Sequence, residues 1–204
     1  ARLVAGVEIS AENAQRLYRQ TEGNPLFVVE TARAGLAVQE GVPESHQPEL
    51  DLPAKVLAVL EARLGQVSPP TRELAELAAT IGREFSFRLL ARACGCDQDT
   101  LVRKLDELWQ RRIVREHGLE AYDFSHDKLR EVAYCSMSSA RRRLLHHQVA
   151  QALETLHGAE LDPLSHQLAF HYEQAGFPEQ AVPYYQRAAE LARQVYANDE
   201  ALAL

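Results

Sequence analysis

The spacing of apolar residues changes twice along this chain, and that change constrains the fold more than any other feature. Between Pro53 and Trp109 apolar side chains recur every three to four residues. Ile113-Val114, Tyr122 and Phe124, on either side of a turn at His117-Gly118, follow a period of two. Helical spacing resumes from Leu129 onward. A period of 3.6 lines one face of a helix and a period of two lines one face of a strand. The expectation is a mainly α protein with one small β-hairpin set between helices.

The helices before the hairpin have recognisable ends. Val56, Leu57, Val59, Leu60 and Leu64 mark one amphipathic helix, ended by "VSPP" at 67–70. Thr71 is expected to cap the next, with Leu74, Leu77, Ala78 and Ile81 inward and Gly82 behind. Ser86 opens a short helix to Ala93, and Asp97 or Asp99 opens another through Leu101, Leu105, Leu108 and Trp109. Three short helices followed by a hairpin is the layout of a winged helix, here 53–126. Upstream, Ser10 to Ala34 reads as two helices broken at "TEGNPLF". The stretch 35–53 has three prolines and four acidic residues and reads as a linker, so 1–52 forms a separate region.

Downstream, 127–204 is helical. Leu129, Val132 and Ala133 begin one helix. Leu144, Leu145, Val149, Ala152, Leu153 and Leu156 line a second, between Ser138 or Ser139 and Gly158. Ala169, Tyr172, Gly176, Ala181, Tyr185 and Ala188 then recur with the gaps of a tetratricopeptide-type helical hairpin. One such repeat cannot bury its own face, so "YANDEALAL" is expected to begin another. The start without Met and the end at Leu204 inside a periodic segment predict a piece of a longer protein.

Composition excludes several classes. With 22 basic and 29 acidic residues the net charge is −7, unlike a chain that coats nucleic acid or an anionic membrane. No stretch approaches the roughly 20 successive apolar residues of a membrane span. The three cysteines, Cys94, Cys96 and Cys135, suit a reducing cytoplasm and offer neither a disulfide framework nor a zinc knuckle. His146 and His147 are adjacent, and His166 and His171 are five apart; neither pair shares a helix face as i and i+4 do, so no metal site is expected. Arg141, Arg142 and Arg143 are read as a solvated helix face.

"EGNPLF", a winged helix closing in "FSHDKLRE", and the tetratricopeptide-like run stand in order. That order resembles the signal-transducing STAND ATPases, large regulators with a P-loop domain, a helical lid, a winged helix and a repeat sensor; bacterial versions linked to transcriptional activators, nucleotide cyclases and kinases are most similar in texture. The resemblance implies that Gly23 and Pro25 form the lid turn near the adenine. It also implies that His126 and Asp127 match a Met-His-Asp type motif whose histidine contacts the β-phosphate of ADP, with Ser125 in place of the methionine.

No G-x-x-x-x-G-K-[ST] occurs and no strand ends in paired acidic residues, so the fragment is expected not to be an enzyme. No cofactor is expected in the fragment alone. ADP or ATP with Mg²⁺ would belong to the longer parent, in an upstream P-loop domain, and the repeats would meet a protein partner or small effector. One alternative is a DNA-binding winged helix with a helical dimerisation arm, using Arg103, Lys104, Arg111 and Arg112. Asp106 and Glu107 lie among those residues, and 97–147 carries ten basic against nine acidic side chains, which disfavours a DNA footprint. A second alternative is a tetratricopeptide scaffold. His126 itself has a plainer reading as a corner residue whose neighbours cap the next helix, and Ser125-His126-Asp127 cannot be a catalytic triad, because successive strand residues point to opposite faces.

Overall fold

A computed structural model describes residues 54–202 except 119 and 159, together with 3, 4, 7, 8, 18, 25, 28 and 29. Two short strands, β1 (Leu3–Val4) and β2 (Val7–Glu8), pair antiparallel. Tyr18, Pro25, Val28 and Val29 are helical, in keeping with the helices expected there. Gly23 and the linker at 35–53 lie outside the described residues.

Helix α1 (Ala54–Leu64) buries Val56, Leu60 and Leu64. Helix α2 (Pro69–Ile81) starts earlier than expected. Ser68 flanks it in extended conformation, Pro69 and Pro70 fill its first positions, and Thr71 is a buried first-turn residue, not the cap. The reason is that prolines at N1 and N2 remove donors a helix start would otherwise leave unpaired. A strand the sequence did not announce follows: β3 (Glu84–Ser86), too short to show alternation. Ser86 then caps α3 (Phe87–Cys94) by accepting from the Leu89 amide at 3.2 Å, and Gly95, at φ 63°, ends it. Asp97 caps α4 (Gln98–Gln110) by accepting from Thr100 N–H at 2.9 Å.

Strands β4 (Val114–His117) and β5 (Ala121–Phe124) form the expected hairpin, and β3 joins it to give a three-stranded antiparallel sheet ordered β3-β5-β4. The single hairpin is therefore corrected to three strands. Phe85 of β3 pairs with Tyr122 in register and lies 5.9 Å edge-on from Phe124, so its ring belongs to the same core as the hairpin. Arg115 stands directly opposite Asp123, whose buried carboxylate takes two guanidinium hydrogen bonds of 2.7 Å.

The rest is helical: α5 (Asp127–Cys135), α6 (Ser139–His157), a 3₁₀ turn (Asp162–Leu164), α7 (Ser165–Ala175) and α8 (Pro178–Leu202). Ser138 caps α6 and Gly158 follows it. Leu145, Val149, Ala152 and Leu153 are buried as expected, but Leu144 is exposed and Leu156 only half-buried. Gly176, at φ 86°, occupies the left-handed region that reverses the chain between α7 and α8. Helix α2 packs on α3, α4, α5 and α6, so one apolar core runs from Val56 through Leu90, Leu108 and Phe124 to Leu168 and Ala181. The chain is thus mainly helical with a small antiparallel sheet.

Candidate functional site

The corner between β5 and α5 is built by short-range rules. Ser125 donates its amide to the Ile113 carbonyl at 3.0 Å and its hydroxyl to the Arg112 carbonyl, which ties the end of β5 to the residues entering β4. Arg112 itself adopts φ 54°, a conformation a side-chain-bearing residue takes only where its surroundings hold it there. His126 follows as the extended N-cap of α5, with φ −144° and ψ 136°, and is half-buried. Its carbonyl accepts from Leu129 N–H at 3.0 Å, while its imidazole does not cap its own helix. Asp127 opens the helix and receives the Arg130 guanidinium at 3.0 Å; Lys128 pairs with Glu131 in the same i,i+3 manner. Arg130 and Glu131 are therefore engaged within the helix. The corner places an imidazole beside the positive end of a helix dipole, chemistry suited to an anionic oxygen. Pro25, the other expected nucleotide contact that is described, is helical and exposed.

Two of the four basic residues weighed for DNA contact are directed to neighbours within the fold. Arg103 is exposed and donates to Thr100 Oγ1 on its own helix at 3.0 Å, and Lys104 beside it is half-buried. Arg111 turns toward α1, where its carbonyl accepts from Arg63 at 3.2 Å and its guanidinium reaches Gln66 at 3.5 Å. Glu107 is half-buried and reaches the start of α2. Its carboxylate accepts from Ser68 N and Oγ, each at 2.7 Å, and from Thr71 Oγ1. Those hydrogen bonds, Thr71's foremost, hold the carboxyl below its ordinary range. The exposed side chains of α4 include Val102, Asp106 and Trp109, the last at 55% exposure.

The arginine run also differs from expectation. Arg141 and Arg142 are half-buried and only Arg143 is exposed. Arg141 bridges to Glu76 at 3.3 Å and Glu73 at 3.9 Å on α2, and Arg142 lies over the Tyr134 ring at 5.5 Å. This is a packed seam, because arginine stems cover apolar surface while their heads find partners.

A polar cluster that sequence spacing missed lies deeper. His146 on α6 and His171 on α7 are each 1% exposed, with Nδ1 atoms 2.9 Å apart. Tyr134 Oη of α5 lies 2.8 Å from Nε2 of His146. Burial first, then the charge of Arg142, lowers the His146 pKa to about 4; burial and His146 lower that of His171 to about 3. Spacing along one helix cannot reveal this pair, because it spans two helices. The signal was the core phase itself: His146 falls beside Leu145 and Val149, and His171 beside Leu168 and Tyr172.

The three cysteines are half-buried, and burial beside Cys94 pushes the Cys96 thiol up to about 11, far from a reactive thiolate. Among the described residues no helix is long and apolar enough to cross a membrane, and no group of three His, Cys, Asp or Glu side chains could hold a metal ion.

The fold and corner define a mainly helical protein with a small antiparallel sheet and a strand-to-helix corner. No family model matches the chain, and no solved structure matches it. It is 31% identical over 174 residues to an uncharacterized protein of Rhizobium meliloti (strain 1021), a match covering 81% of this chain and 16% of that relative. The chain thus spans about a sixth of the length of the curated relative it matches.

Proposed function

We propose that this chain is a non-catalytic regulatory segment of a STAND-type signalling ATPase, in which a winged helix couples the nucleotide state of an upstream P-loop domain to a tetratricopeptide-like sensor. Three features support the reading. The run from α2 to β5, helix–strand–helix–helix–strand–strand with sheet order β3-β5-β4, is that expected of a winged helix. The α7–α8 hairpin turns on a left-handed glycine, as a tetratricopeptide unit would. The matched relative is about six times longer than the shared segment, room enough for further domains in that protein.

The observation that carries the proposal is the corner at His126. An imidazole sits at the N-cap of a nine-residue helix directly after a sheet strand, and the Ser125 bonds to Arg112 and Ile113 fix its position. In this reading His126 donates to the β-phosphate of ADP held by the upstream domain. Asp127, tied to Arg130, keeps the first turn of α5 in place. Gly23 and Pro25 close over the adenine. Exchange for ATP changes the affinity for the closed arrangement and so frees the winged helix.

The alternative of DNA binding is weaker, because Arg103 and Arg111 are directed to neighbours within the fold and Asp106 and Trp109 share the exposed face of α4. That face better suits a protein surface, such as the upstream domain.

The test is ADP release from the full-length parent carrying His126→Ala. A charge-assisted hydrogen bond is worth about 1.5–3 kcal/mol, so release should accelerate roughly 10- to 100-fold and basal activity should rise. An unchanged ADP off-rate removes the sensor role.

A further inference from the structure

The interface between α6 and α7 presses two imidazoles together with no water-exposed edge of consequence. His146 Nδ1 and His171 Nδ1 are 2.9 Å apart, both rings are 1% exposed, and Phe170 stands edge-on to His146 at 5.7 Å. Two ring nitrogens facing each other can share one proton and no more, one donating and the other accepting. With Nδ1–H on His146, its Nε2 is left to accept from the Tyr134 hydroxyl at 2.8 Å. Tyr134, His146 and His171 then form a chain of hydrogen bonds running from α5 through α6 to α7, with both rings neutral.

An added proton breaks this arrangement. On His146 it turns Nε2 into a donor and leaves the Tyr134 hydroxyl hydrogen without its acceptor. On His171 it forces the same reversal through the neighbouring ring. A second proton sets donor against donor. The surrounding charges offer no relief. Arg142 on α6 lies over Tyr134, and its buried Nε has no hydrogen-bond partner among the described residues. Arg92 of α3 faces α6 across a small cleft with Gln148 and Gln151. Arg141 is drawn to Glu73 and Glu76 of α2, so those carboxylates are engaged. On α5, burial raises the pKa of Tyr134 and of Cys135, which keeps both neutral. On the α8 side, Glu154 takes the Tyr184 hydroxyl and Glu173 takes that of Tyr185. Among the described residues no carboxylate pairs with either ring.

We propose that this contact is a proton-sensitive latch, seating the α7–α8 hairpin on α6 while both imidazoles are neutral and releasing it when the pair takes up a proton. The latch closes the path from the His126 corner, where α5 begins, to the hairpin, and it requires no nucleotide. It therefore stands or falls independently of the ATPase reading.

Hydrogen exchange on the 204-residue chain, compared at pH 7.5 and pH 5.0 after correction for intrinsic rates, tests it. A histidine free to protonate with the ordinary value of about 6.5 once released gives roughly 30-fold more opening at pH 5. Peptides from α7 and the first half of α8 should lose protection by at least that factor, and at pH 5.0 they should open more easily than those from α2 to α4, whose openings follow the whole fold. Equal opening free energies in the two regions at pH 5.0, or no change in α7, overturns the latch. Long-range ¹H–¹⁵N spectra of the unmodified protein give a second measurement. At pH 6 both rings should be neutral, one protonated at Nδ1 and the other not. Titration of either ring near 6.5 in the folded protein refutes the proposal. His171→Asn, which keeps a hydrogen-bonding group without a titrating one, should remove one ring's share, roughly 30-fold, of the extra opening at pH 5; full retention of it would also overturn the latch.

Discussion

Glu107 offers the sharpest test of how this fold is held. Its carboxylate crosses from α4 to the start of α2 and accepts hydrogen bonds from Ser68 N, Ser68 Oγ and Thr71 Oγ1. Pro69 and Pro70 contribute no N–H, so Glu107 serves donors that the helix cannot pair internally. Thr71 is 1% exposed, and losing its acceptor leaves a buried hydroxyl with only Ser68 nearby. Three hydrogen bonds to a charged acceptor at a half-buried site, each about 0.5–1 kcal/mol net, plus part of the cost of an orphaned hydroxyl, give about 2–3 kcal/mol for Glu107→Ala. Glu107→Gln keeps one acceptor oxygen and should lose about 1 kcal/mol. Urea unfolding at pH 7 measures both, with an unchanged m-value confirming a change in stability alone.

The sign with pH follows from the depressed carboxyl. A group whose folded pKa lies below its unfolded value stabilises above the unfolded value and loses that contribution as pH falls through the folded one. The gap between wild type and Glu107→Ala should therefore close below about pH 4. A loss under about 0.5 kcal/mol at neutral pH, or a gap unchanged in acid, refutes the clasp.

Other outcomes follow from the same structure. Arg115→Ala strands the buried Asp123 carboxylate and should cost about 3 kcal/mol, whereas Asp123→Val leaves an exposed arginine and a strand-favouring residue and should cost under about 1 kcal/mol; chemical denaturation distinguishes them. Gly176→Ala places a side chain at φ 86° with open space around it, so the penalty is backbone strain alone, about 1–2 kcal/mol; Gly176→Asn should cost less, as thermal melts can show. Both buried histidines have folded pKa values lowered to about 4 and about 3, below an unfolded value of about 6.5, so their neutral forms stabilise the fold fully above that value. Stability should fall by about 2 kcal/mol per ring between pH 7.5 and pH 5, and a flat urea midpoint across that range would contradict the burial.

Much of this architecture was legible because its signals are local. Ser86, Asp97 and Ser138 announce helix starts through bonds to residues three positions on, and Gly95, Gly158 and Gly176 mark helix ends by backbone freedom. The hairpin showed in the alternation of Tyr122 and Phe124. The His126 corner showed as the point where a period of two gives way to one of 3.6. Chain neighbours decide such features, so the order of residues is enough to reveal them.

What escaped notice depends on partners far along the chain. Strand β3 is too short to alternate and becomes a strand only because β5, nearly 40 residues later, supplies its ladder. Ser68 and Thr71 look like ordinary cap residues until Glu107 arrives from α4. Arg141 and Arg142 look solvated until α2 and Tyr134 pack against them. His146 and His171 are unremarkable in sequence, and only the packing of α7 on α6 brings their rings into contact. By itself the sequence determined where helices and the hairpin begin and end, and which faces are apolar. The tertiary structure alone decided which polar groups meet, since burial compels a hydrogen bond but does not name the distant residue that supplies it.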